Sequence, residues 1–124
     1  MTRNHKSARA AGARFERVIA NYLAKALNDD RIDRAPKHGA KDRGDIAGVN
    51  IRGHKIAIEC KDTSRMELPE WVNQAHREAD NLGAVAGIIV HKRRGVTAPD
   101  QQWVAMTTRD LAAIIRESNY PWTF

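Results

Sequence analysis

The sequence predicts an α/β domain in which a mixed central sheet is flanked by helices. Three stretches carry that prediction: an amphipathic helix over residues 11–28, two short strands joined by a tight Gly turn, and a helix followed by a nearly continuous apolar strand over 85–91. The resulting order of helix, strands, helix, strand, strand, helix suits helices layered on a sheet around one core. At 124 residues the chain is expected to form one domain, long enough to bury roughly two thirds of its unfolded surface without staples.

Residues 1–10 carry Arg3, Lys6 and Arg9 with almost nothing apolar, and are expected to form a basic, flexible arm. The folded domain should span 11–118, and 119–124 (NYPWTF) form a tail with no assigned element. In the first helix Phe15, Val18, Ile19, Tyr22, Leu23, Ala26 and Leu27 fall at helical spacing, and Asn28-Asp29-Asp30 ends it. Residues 31–35 can form a short edge strand before Pro36, and KHGAKDRG (37–44) is a polar loop. Strands over 46–51 and 55–60 are joined around Arg52-Gly53, a hairpin signal. A helix over 68–82 starts with Pro69 in its first turn, runs an apolar stripe through Trp71, Ala75, Ala79 and Leu82, and stops at Gly83. The run VAGIIV within 85–91 fits a central strand covered on both faces, and a basic turn, HKRRG, follows it. A strand over 102–106 and a helix over 108–117, capped by Thr107 or Thr108, complete the order. Trp71 and Trp103 are both expected in the core.

Lys and Arg outnumber Asp and Glu by 21 to 15, giving a net charge of +6 and a pI near 9.9. That balance favours a polyanionic partner, nucleic acid before an anionic membrane. No apolar run approaches the roughly 20 residues a spanning helix needs, and the basic N-terminus is followed by no apolar segment of a secretory signal. The single cysteine, Cys60, excludes an intrachain disulfide and a Cys-based zinc cluster, and points to a reducing, cytoplasmic setting.

The chemistry concentrates in GDIAGVNIRGHKIAIECK, residues 44–61. Residues two apart on a strand share a face at about 6.6 Å spacing, so Ala57, Glu59 and Lys61 point one way while Ile56, Ile58 and Cys60 point to the core. Asp45 opens the preceding hairpin strand, so antiparallel pairing brings it beside the end of the strand that carries Glu59 and Lys61. Two carboxylates and an amine thus converge. Such hard oxygen ligands suit Mg²⁺ or Mn²⁺, which takes one or two protein carboxylates and keeps several waters, and the Cys60 carbonyl can add an oxygen. A cation held there can polarise a phosphodiester and activate water, with Lys61 orienting that water or neutralising charge on phosphorus. An isolated E-x-K is more often a plain surface ion pair; the GD opening a hairpin, with thirteen residues between Asp45 and Glu59, is what argues otherwise.

The pattern GD-(x)13-E-C-K, preceded by a helix containing Glu16, resembles the PD-(D/E)xK nuclease superfamily and, more narrowly, archaeal-type and phage-encoded Holliday junction resolvases. Trp71-Val72-Asn73-Gln74-Ala75 on the following helix, and HKRRG before Gln102-Trp103-Val104, fit the same resemblance, which spans roughly residues 12 to 106. Gly44 stands where the superfamily's name has proline. The resemblance implies a restriction-endonuclease-like fold and a Mg²⁺-dependent endodeoxyribonuclease in which Asp45, Glu59 and Lys61 are catalytic and Glu16 assists. On its helix Glu16 lies at the border of the apolar stripe, where it can reach toward the metal or pair with an Arg. Gln74 is placed as a brace behind the ligands or as a solvated helix residue.

DNA contacts are assigned to three basic clusters: Arg3, Lys6 and Arg9; Lys37, Lys41 and Arg43; and Lys92, Arg93 and Arg94. Binding through several phosphates should be strongly salt-dependent and follow shape more than sequence. The expected activity is paired nicking of four-way junctions by a homodimer in a bacterial or phage-infected cell, with no organic cofactor. A less selective phage nuclease cutting flaps, single strands or foreign DNA, and a non-catalytic DNA-binding module of the same fold, stay open as alternatives.

Overall fold

A computed structural model describes residues 4–37 and 39–118. Helix α1 spans His5–Ala26, strand β1 Asp33–Arg34, β2 Ile46–Ala47, β3 Asn50–Ile51 and β4 His54–Lys61. Helix α2 follows at Leu68–Leu82, then β5 at Ala86–His91, β6 at Trp103–Ala105 and α3 at Thr108–Glu117. The strands form one sheet in the order β1-β2-β4-β5-β6, with β3 pairing with β4. Among the described residues only β4 and β5 run parallel; the remaining pairs are antiparallel, so the sheet is mixed as expected.

Alternation on β4 separates two layers. Ile56, Ile58 and Cys60 join Phe15, Ile19 and Ala20 of α1 in one buried cluster. On the opposite face Trp71 and Ala75 of α2 pack with Ile89 of β5. The strand is therefore covered on both faces, and its second face, which carries Glu59 and Lys61, looks toward α2.

Helix α1 begins six residues before the expected start, so residues 5–10 are helical rather than a flexible arm. Asn4 caps it, its side chain accepting the Ser7 N–H at 2.8 Å, and the Ala, Lys and Arg that follow are strong helix formers. These residues are all exposed, so no apolar stripe marked them. Arg3 and the tail 119–124, including Trp122, lie outside the described residues.

The single strand expected over 46–51 is divided into β2 and β3 at Gly48. Gly48 has φ +91, and a Cβ there would stand 2.6 Å from the Arg31 carbonyl oxygen. Only glycine lets the chain bend there while passing so close to residue 31. Trp103 departs from the core assignment: at the sheet's edge it stays 49% exposed, whereas Trp71 is buried under α2.

Candidate metal centre and its basic rim

Asp45 is set by β2's entry into the sheet. Its N–H donates to the Ile58 carbonyl at 2.7 Å and its Oδ2 accepts the Cys60 N–H at 2.8 Å. Gly44 makes this possible: it has φ +98, and a Cβ would meet the Ile58 oxygen at 2.9 Å. A proline, restricted to negative φ, could not stand in this conformation, so the departure from the superfamily's proline has a local cause. Asp45 Oδ1 accepts from Lys37 Nζ at 3.1 Å, and the same ammonium lies 3.6 Å from Glu16 Oε2. Glu16 Oε1 is in turn forked by Arg34 Nε and Nη2 at 3.1 and 3.0 Å. Of the two expectations for Glu16, the arginine pairing is present, and its other oxygen faces the Lys37 ammonium that also binds Asp45. Lys37, assigned to DNA, bridges these two carboxylates while its side chain stays largely exposed.

On the α2 side, Glu59 is 5% exposed and its Oε2 accepts from Gln74 Nε2 at 2.9 Å. Lys61 Nζ reaches Glu59 Oε2 at 3.2 Å and donates to Gln74 Oε1 at 2.8 Å. Gln74 therefore fixes both members of the E-x-K pair, and its Nε2 also donates to Glu78 Oε2 at 3.2 Å. Glu78 is 2% exposed. One oxygen each from Asp42, Glu59 and Glu78 lies within 4.8 Å of the others. Asp42 is carried there by its loop: its carbonyl accepts Asn81 Nδ2 at 2.8 Å and its Oδ1 accepts the Gly44 N–H at 3.0 Å.

Burial raises the Glu59 pKa well above the carboxylate range, reinforced by the charge on Asp45 and by Glu78, with Lys61 opposing. Glu78 is raised as well, by burial and by the charges of Asp42 and Asp45, against a hydrogen bond from Glu59. Among the described residues, Glu59 Oε1 and Glu78 Oε1 receive no N–H or O–H donor. With both pKa values raised, the two carboxyls can sit together because they need not both be charged. A divalent cation suits the same place: it would neutralise the cluster and satisfy both oxygens, and oxygen-only donors are those that Mg²⁺ and Mn²⁺ prefer. Burial also pushes the Cys60 thiol far above its ordinary pKa, so its sulfur is an inert core group.

Asp42 and Glu78 were absent from the sequence assignment. Glu78 did leave a signal, because it falls between Ala75 and Ala79 on the buried stripe of α2, where a charge needs a reason. Asp42 left none: it reads as one more charge in a polar loop.

Of the basic clusters, Lys6, Arg9, Lys37, Lys41, Arg43 and Arg94 are exposed. The turn after β5 lies against the site, since Lys92 N–H donates to the Lys61 carbonyl at 2.9 Å. The Lys92 ammonium is held by the Arg93 carbonyl at 3.0 Å and closely by the Val96 carbonyl. The Arg93 guanidinium stacks 4.5 Å from the Trp103 ring centroid.

A mixed sheet flanked by helices, with an acid entering beside a strand that ends in E-x-K, defines a nuclease core of the PD-(D/E)xK class. Residues 7–124 match the family described as "Phage putative PDDEXK endonuclease", and the chain belongs to that family. No curated protein and no solved structure matches the chain significantly. The match carries the nuclease class and its phage association; the narrower likeness to junction resolvases is no part of it. Among the described residues no helix is long and apolar enough to cross a membrane.

Proposed function

We propose that the chain is a Mg²⁺-dependent endonuclease, with Mn²⁺ able to substitute, that hydrolyses DNA phosphodiesters. The observation that carries this reading is the pair of buried carboxylate oxygens without donors, on Glu59 and Glu78, with the Lys61 ammonium 3.2 Å from the other oxygen of Glu59. Glu59 and Asp45 hold the cation together with the Cys60 carbonyl, and Asp42 and Glu78 complete the acidic wall. Release of the Lys37 ammonium frees Asp45 Oδ1 for that role. Lys61, oriented by Gln74, places its charge where a phosphate oxygen gains charge during hydrolysis. Glu16 acts at one remove, through the side chains it shares with Asp45. The cation supplies an activated water and Lewis-acid stabilisation of the phosphate.

For the substrate we propose branched DNA, with the four-way junction as the leading case. Its two scissile strands are related by a two-fold axis, so paired nicks need a homodimer. Support comes from the +6 charge and from exposed cations on loops around the site, an arrangement suited to backbone and shape rather than base readout. Cleavage of a synthetic junction beside linear duplex, flap and single strand, with Mg²⁺ or EDTA, tests both levels. Symmetric nicks confined to the junction support the resolvase reading, and equal cutting of every substrate replaces it with a general nuclease. Binding without any cutting leaves a DNA-binding module and overturns the enzymatic reading.

A further inference from the structure

Beyond Lys61 the site changes character. Lys61 pairs with His91 across the parallel β4–β5 step, and His91 pairs with Trp103 across the antiparallel β5–β6 step. Residues paired in register project to one face of a sheet. An amine, an imidazole and an indole therefore stand in a row across three strands, on the face covered by α2. All three line a cavity of about 780 Å³ at the C-terminal ends of the two parallel strands. Trp71 of α2 also lines it, its ring tilted by 51° against His91 with centroids 5.6 Å apart. Arg65 and Arg94, both exposed, stand on the lining from the loops after β4 and β5.

The indole of Trp103 is 49% exposed even with the Arg93 guanidinium over its ring, although it is among the largest apolar groups in the chain. Leaving it in water forgoes hydrophobic stabilisation that a covering group would recover. The cations around it favour an occupant that combines a flat π-face with negative charge. A nucleotide has both, and the cavity's size lies in the range of ordinary ligand sites. A base inside a continuous duplex cannot use this surface, because its stacked neighbours already cover both faces. An unpaired base can, and stacking of single-stranded bases on aromatic side chains in a cationic groove is a recurrent way of binding them.

The geometry points to a seat for one unpaired DNA nucleotide beside the acidic cluster, its base stacked on Trp103 and its phosphates facing Arg65 and Arg94. This rests on the endonuclease reading and deepens it: the substrate becomes DNA with an unpaired nucleotide next to the cut, as at a branch, flap or gap. Lys61, shared between the cavity and the carboxylates, links the seat to the chemistry.

The test is fluorescence anisotropy with the full chain in EDTA, comparing a gapped duplex with a continuous duplex of equal length. Trp103→Ala is expected to weaken binding of the gapped duplex by about tenfold or more and of the continuous duplex by less than about twofold, while Trp103→Phe stays within about threefold of wild type. A 2-aminopurine at the unpaired position should change its emission on binding wild type, a readout that holds even if Trp103→Ala fails to fold. Equal wild-type affinity for both DNAs with no 2-aminopurine response, or equal weakening of both by Trp103→Ala, would overturn the seat. So would a Trp103→Ala effect confined to oligomeric state, which would give the indole to a protein contact. None of these readouts needs cutting. Selective binding without Mg²⁺-dependent cleavage would sink the endonuclease and keep the seat; cleavage without selectivity would do the reverse.

Discussion

Asp110 and Glu59 are both 5% exposed, yet the protein treats the two carboxylates in opposite ways. Asp110 sits at the start of α3 in a capping box, its Oδ2 accepting from Thr107 N–H and Oγ1 at 3.1 and 2.8 Å. The same oxygen meets His76 Nε2 at 2.9 Å, and Oδ1 accepts the Gly87 N–H at 3.2 Å. Burial alone would raise its pKa, but the hydrogen bonds from His76, Thr107 and Gly87 outweigh it and leave the pKa lowered. Glu59 has one oxygen shared by Gln74 and Lys61, one with no N–H or O–H donor, and acidic neighbours. A buried acid with a full set of donors pins an element in place. One left short of donors among other acids marks where something else is meant to bind.

The sharpest break in this contrast is catalytic. Glu59→Gln should abolish Mg²⁺-dependent cutting, and Lys61→Met should slow it by about 10²–10³-fold, both read as initial rates on labelled DNA. Asp110→Ala should leave the rate per folded molecule unchanged and instead cost about 1–3 kcal/mol of stability in urea unfolding, because the Gly87 N–H and the α3 cap lose their acceptor. A cutting defect in Asp110→Ala, or a stability defect without a cutting defect in Glu59→Gln, would erase the distinction. Glu78→Gln should weaken Mn²⁺ binding by about tenfold or more, measured by calorimetry. The smallest effect is on stability against pH. Glu59 and Glu78 keep protons in the folded chain that they release when unfolded, so metal-free stability should fall as pH rises above about 4.3, the ordinary glutamate value, through their raised folded pKa values. Asp110 acts with the opposite sign, its contribution being lost only as pH falls through its lowered pKa. Glu59→Gln should flatten the alkaline decline in thermal melts from pH 5 to 9.

Much of this was legible where local periodicity and long-range packing agree. The two faces of β4 follow from alternation, and the ends of α2 follow from Pro69 and Gly83, whose left-handed φ of +71 closes the helix. Asp45 came to lie beside β4 because a hairpin is a local structure. What stayed hidden depended on contacts between distant segments. Asp42 enters the cluster through a tether to Asn81, 39 residues away, and Lys37, though still exposed, pairs with Glu16 and Asp45, which face it together. Trp103 looked like a core residue because size and hydrophobicity are local properties, whereas cover over an edge strand is not. The first turns of α1 bury nothing, so only their cap and helix propensity could have shown them.

If a divalent cation binds at Glu59 beside Glu78, its charge must displace protons that these raised-pKa carboxyls hold in the metal-free chain. Calorimetric titration of the metal-free chain with Mn²⁺ at pH 7, in two buffers of different ionisation enthalpy, measures binding and proton release together. Stoichiometric binding that expels a proton is expected, with that proton release lost in Glu59→Gln. Binding with no proton release, or binding unchanged by Glu59→Gln, would contradict it.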